Sequence, residues 1–136
     1  MSIITGILGW VKSCDLVDDP EYIDVNLLPP EMMALGIYKQ PSGTVEPLVD
    51  GTKIITDVYY LLFKRPAQLE AERISSDEYL EQIEKWVEAQ ECEENYPEIG
   101  YRVFGVGITN TAYMMERTDE DAVYQLAISI TYMKGD

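Results

Sequence analysis

Apolar positions along the chain switch between a helical and an alternating period, and the switches mark its elements. Ile3, Ile4, Ile7, Leu8 and Val11 recur at helical spacing, with Trp10 at the edge of the stripe. Ser2 is placed to cap this helix. Gly6 and Gly9 weaken it by roughly 1 kcal/mol each relative to alanine. The helix is therefore expected to depend on docking, with glycine allowing close approach to a sheet. From residue 15 to 51 the pattern is irregular. Asp18-Asp19-Pro20 and Pro29-Pro30 break structure, Pro41-Ser42-Gly43 and Asp50-Gly51 read as turns, and residues 22–27 and 35–40 read as short strands.

Residues 53–64 form the clearest strand. Ile54, Ile55, Val58, Tyr59, Tyr60, Leu61, Leu62 and Phe63 put apolar groups on both alternating faces, which predicts a central strand covered on both sides. Pro66 ends it. Ser75 and Glu78 fit a capping box that opens a helix. Its buried stripe is Tyr79, Leu80, Ile83, Trp86 and Val87, and Glu78, Glu81, Glu84, Glu88 and Glu91 fall largely on the other side. Pro97 follows its end. Residues 101–106 and 108–116 read as strand, bent at Gly105 and Gly107. After a turn at Thr118-Asp119-Glu120-Asp121, residues 122–133 alternate. Tyr124, Leu126, Ile128, Ile130 and Tyr132 take one face, and Gln125, Ala127, Ser129 and Thr131 take the other.

This order predicts a single α+β domain over residues 1–136. Its antiparallel sheet has a long central strand and a C-terminal hairpin, with helices mainly on one face. At 46% hydrophobic residues the chain can build a core without a disulfide or metal staple. Cys14 and Cys92 lie far apart, outside any Cys-x-x-Cys or metal-ligand spacing, and read as two free thiols. The apolar stretch at residues 2–11 is too short to span a bilayer, and no positive charge precedes it. It reads as neither signal peptide nor anchor.

Charge narrows the function classes. Acidic residues number 25 against 10 basic, a formal net charge of −15. Such a surface repels nucleic acid and anionic membranes, and Lys64-Arg65 is the nearest thing to a basic cluster. Association of like faces is costly unless apolar contact offsets the repulsion or oppositely charged faces meet.

Candidate chemistry is sparse. The absence of histidine removes the commonest base, the commonest metal ligand and every histidine-based triad. Gly105-Val106-Gly107 lacks the spacing of a dinucleotide loop and reads as a strand bend. The acidic groups at Asp15, Asp18, Asp19 and Glu21 and at Asp119, Glu120 and Asp121 do not match a calcium loop and read as turns. Asp57 interrupts an apolar strand, so partial burial is expected, with a solvent-facing or lysine-paired carboxylate as the plainer account. Ten tyrosines, among them Tyr59, Tyr60, Tyr113, Tyr124 and Tyr132 on strands, suit a core or sheet edge, or else a subunit interface. No catalytic, cofactor-binding or metal-ligating residue is assigned, and the chain reads as a non-enzyme.

One resemblance sharpens this reading. The run Asp57-Val58-Tyr59-Tyr60-Leu61-Leu62-Phe63-Lys64-Arg65-Pro66 is followed by a polar stretch and a helix with Glu84-Lys85-Trp86. The closing strand runs from Val123-Tyr124-Gln125-Leu126 through Ile130-Thr131-Tyr132. Over roughly the last 80 residues this resembles the minor capsid or tail-terminator proteins of long-tailed phages and prophages of Gram-positive bacteria. The resemblance implies a structural virion protein of the tail, assembled in the host cytoplasm. It implies a homo-oligomeric ring, a hexamer, that caps the tail tube. The ring's partners are the tail-tube protein and the head-connector protein. DNA passes through without specific binding, and no membrane is involved. The acidic composition is compatible with a channel that does not trap DNA. A head-completion adaptor of the same virion is the alternative, and a small carboxylate-based enzyme or metal-binding module is the competing class. The loop at residues 40–52, rich in Pro and Gly, is the candidate for partner contact.

Overall fold

The computed structural model describes residues 3–17, 23–28, 30 and 33–135. Helix α1 covers Ile3–Lys12 and strand β1 covers Ile23–Val25. Strands β2 (Leu35–Pro47) and β3 (Lys53–Pro66) follow, then helix α2 (Glu70–Glu93) and strands β4 (Arg102–Arg117) and β5 (Asp121–Lys134). The strands form one sheet in the order β1-β2-β3-β5-β4. The α+β class, the long central strand and the C-terminal hairpin are all present. The sheet is mixed rather than purely antiparallel, because β1 pairs parallel with β2 while the other neighbours are antiparallel. The expected cap at Ser2, the breakers Asp18-Asp19-Pro20, and Glu21, Tyr22 and Pro29 lie outside the described residues.

The core draws its sheet residues from one face. Tyr59, Leu61 and Phe63 of β3 pair with Ile128, Leu126 and Tyr124 of β5, and all six are buried. Leu35 and Ile37 extend this layer on β2, and Val106 extends it on β4. Ile7, Trp10 and Val11 of α1 and Leu80, Ile83 and Val87 of α2 join the same cluster. The helical stripe read from the sequence is therefore the buried one, with Tyr79 and Trp86 at its margin.

Four local expectations change. The second helix begins at Glu70 rather than Ser75. The Glu72 carboxylate accepts the Leu69 backbone N–H at 2.9 Å, the half of a capping box that needs no Ser or Thr at the cap. Glu70 and Glu72 also place acid in the first turn, where the helix dipole favours it. Ser75 and Glu78 lie inside the helix. Pro41-Ser42-Gly43 is not a turn: β2 continues to Pro47 and absorbs these residues as a register shift between Gln40 and Thr44. Most of the expected loop at residues 40–52 is thus strand. The close approach permitted by Gly6 is to a loop, not to a sheet, since a methyl there would overlap the Glu98 carbonyl. Lastly, β3 is central but only one of its faces belongs to the core. Its other apolar row is half-buried and joins no core cluster.

Candidate functional site

Asp57 is the residue whose type is least at home in its place. It occupies the core side of β3, is 6% exposed, and pairs with Ile130 across the β3–β5 seam. The Tyr132 hydroxyl donates to its Oδ2 at 3.0 Å. Lys39 Nζ stands 3.8 Å from the same oxygen, with its side chain 55% exposed. Gly43, in the bulge of β2, leaves room for the other oxygen; a methyl there would press on the Thr56 carbonyl and on Oδ1. Burial, then the Asp57 charge, pushes the Tyr59 phenol up to about 12. Burial, the hydrogen bond to Asp57 and the charge of that carboxylate hold Tyr132 well above the ordinary tyrosine value. Both phenols are donors across the neutral range, so neither can take a proton from a substrate there. The lysine pairing of the plainer account is present, but Asp57 does not face solvent: it is buried, and the Tyr132 phenol is a partner the sequence did not suggest.

The other carboxylates disperse. Glu78, Glu81 and Glu88 are exposed along α2. Glu91 is the exception. Its Oε2 accepts the Val106 backbone N–H at 2.7 Å and its Oε1 accepts the Tyr96 hydroxyl at 3.1 Å, which latches the end of α2 to β4. Among the described residues no three Asp, Glu or Cys side chains gather as a metal would require. The turn at residues 118–121 closes on itself, with Thr118 Oγ1 donating to Asp121 Oδ1 at 2.8 Å. Gly105 sits at a register shift in β4, as a strand bend demands.

The two adjacent cations part company. Lys64 donates to the Pro30 carbonyl at 2.9 Å and lies 3.6 Å from Asp121. Arg65 points to the opposite face, buried, with its guanidinium 3.9 Å above the Tyr79 ring. They form no basic patch. Cys14 is buried and Cys92 exposed, both free, and burial pushes the Cys14 thiol up.

The tyrosines divide by face. Tyr59, Tyr124 and Tyr132 are core residues. Tyr60 and Tyr113 lie on the opposite side of the sheet, where register places Ile54, Val58 and Leu62 of β3 beside Met133, Ser129 and Gln125 of β5. On this face, the residues drawn from 36–40 of β2, 54–62 of β3, 105–113 of β4 and 125–133 of β5 include no charged side chain. Four of its polar groups pair sideways. Thr56 and Thr131 hydroxyls lie 3.1 Å apart, and Gln125 Nε2 donates to the Tyr113 hydroxyl at 3.0 Å. The sequence carries the signal, a strand apolar on both sides, but the pattern by itself assigns the second side to the interior.

No helix among the described residues is long and apolar enough to cross a membrane. Compared with known proteins, the chain matches no family model and no curated protein.

Proposed function

We propose that the chain is a structural virion protein of a long-tailed phage or prophage: a tail terminator that caps the tail tube as a homo-oligomeric ring and meets the head connector. One observation carries this reading. The two segments that bear the resemblance, residues 57–66 and 123–132, are the paired central strands β3 and β5, so the likeness falls on the scaffold of the fold rather than on scattered positions. Two further features support it. Among the described residues the carboxylates have no common focus, and buried Asp57 is bonded to the Tyr132 phenol, which stays protonated at neutral pH. The acidic surface suits a protein beside which DNA must slide without sticking.

Deleting the gene from the phage or prophage that carries it tests the reading. Loss of the protein should leave tubes of uncontrolled length and heads without joined tails, seen by electron microscopy. Tails of normal length joined to heads would overturn it. Heads that lose their DNA while the tubes keep normal length would assign the chain to the head-completion adaptor instead.

A further inference from the structure

We propose that the uncharged face of the sheet is where two copies of this chain pack together, sheet on sheet. This goes beyond the virion reading and does not rest on it.

A sheet face that carries Ile54, Val58, Tyr60 and Leu62 is stabilised by leaving water, and none of the core cluster comes from it. Among the described residues, the connection after β1 meets one end of this face. Leu27 and Leu28 cross Gly36, and the Pro30 carbonyl and the Met33 N–H are both bonded to Lys64, which holds that connection beside Leu62. Val58 and Tyr60 at the centre and Ile54 at the far end are half-buried and belong to no core cluster.

The edges are poor routes for a neighbouring copy. Strand β1 covers only Leu35–Ile37 of β2, and the rest of that edge is broken by a register shift between Gln40 and Thr44 and by Pro41 and Pro47, which have no N–H to donate. Strand β4 is interrupted by four register shifts, its Val106 N–H is taken by Glu91, and the Phe104 carbonyl accepts the Tyr96 hydroxyl at 3.4 Å. Bulged and proline-bearing edges resist strand addition. The uncharged face is the contact that needs no regular edge.

Charge and area select a second copy as the occupant. Two molecules of net charge −15 repel wherever their acidic surfaces meet, and this face brings none of that charge to its centre. Charges of both signs sit at its margin: Glu46 and Arg102 near Ile54, and Lys64 and Glu116 near the other end. A basic partner would find its complement on the carboxylates of α2 instead. Four strands about 4.8 Å apart and about nine residues long give the face roughly 550 Å², part of it taken by the connection at the Leu62 end. A pair would bury up to about 1,100 Å², close to the ~1,000 Å² expected of a specific contact. Thr56 bonds Thr131 and Gln125 bonds Tyr113 within the face, which lowers the cost of drying those four groups. Twisted sheets pack face to face about 10 Å apart with their strands inclined by about 30°.

Sedimentation equilibrium of the full chain tests this, with circular dichroism to check the fold of each variant. The wild type should dimerise, and the dimer should tighten as ionic strength rises, because salt screens the acidic surfaces and leaves apolar contact intact. That measurement needs no variant. Val58→Glu and Tyr60→Lys, each placing two like charges at the contact, should weaken dimerisation by about 100-fold or more with the fold unchanged. Glu88→Lys, on exposed α2, should not weaken it. A monomer at all concentrations and salts, or a dimer that weakens with salt, would overturn the proposal. So would an oligomer that both face variants leave intact, although a ring of that kind would leave the virion reading standing. A dimer broken by Val58→Glu in a chain whose deletion spares tail assembly would refute the virion reading alone. Monomeric protein that binds the tail tube through Val58 would replace self-pairing with that partner.

Discussion

The Tyr132 hydroxyl donates a 3.0 Å hydrogen bond to Asp57 Oδ2, joining the two central strands through side chains 75 positions apart. The bond explains how a carboxylate persists within an apolar strand. Hydrogen bonds to charged groups contribute about 1.5–3 kcal/mol. Asp57→Ala, which strands the phenol, should therefore destabilise the fold by about that amount in urea titration. Asp57→Asn keeps an acceptor and should cost less. Lys39→Ala should cost no more than about 1 kcal/mol, because the lysine is exposed and screened. A Lys39 variant as damaging as Asp57→Ala would refute this ranking.

Alkaline pH should expose the buried phenols. Tyr59 is held up to about 12 in the folded state by burial and by the Asp57 charge, and Tyr132 is shifted in the same direction. An unfolded tyrosine titrates near about 10. Above that pH the unfolded chain loses protons that the native chain keeps, so stability falls as pH rises. The contribution is fully present below about 10 and disappears as pH passes through about 12. Tm measured across this range should drop, and Tyr59→Phe should flatten the drop. A profile indifferent to that substitution would show that Tyr59 is not a source of it.

Two glycines of α1 should respond in opposite directions to the same change. A methyl at Gly6 would overlap the Glu98 carbonyl and press on Ile99, whereas one at Gly9 would meet nothing within 4 Å. Gly6→Ala should force α1 off the segment after α2, at a cost of about 1–3 kcal/mol or more. Gly9→Ala should stabilise by up to about 1 kcal/mol through helix propensity alone. Trp10 and Trp86, whose rings lie 4.8 Å apart at this junction, supply the fluorescence readout. Equal effects from the two substitutions would contradict the docking of α1.

Glu91 holds the open edge of the sheet. Glu91→Ala removes a 2.7 Å charge-assisted bond to the Val106 N–H and the Tyr96 contact together. It should speed hydrogen exchange at Val106 and lower stability by about 1–3 kcal/mol. Unchanged protection at Val106 would mean that the latch contributes nothing.

Strand β5 is fully legible in the sequence because one of its faces meets the core and the other does not, so its alternation is clean. Strand β3 is legible as a strand but not as an open-faced one. An apolar row looks the same whether an inner layer or an outside molecule is to cover it. The start of α2 is misplaced by the sequence pattern because Ser75 and Glu78 carry the stronger local signal, while the working cap is a lone carboxylate, Glu72, on a leucine N–H. The bulge at Pro41-Ser42-Gly43 has turn composition. Only the long pairing of β2 with β3 turns it into a strand irregularity, and that pairing is not local. Asp57 can be singled out as odd, but its phenol partner lies too far along the chain for spacing to reveal it.

The sheet order β1-β2-β3-β5-β4 has a kinetic consequence. Strands β2 and β3 form one hairpin and β4 and β5 another, each closed by a short connection. The seam between β3 and β5 is the long-range step, and α2 lies within the loop that it closes. Loop closure must be met before such contacts reward it. The two hairpins are therefore expected to form early and to search for each other with the apolar face of α2 as the surface on which they meet. The bond between Asp57 and Tyr132 belongs to the end of that search.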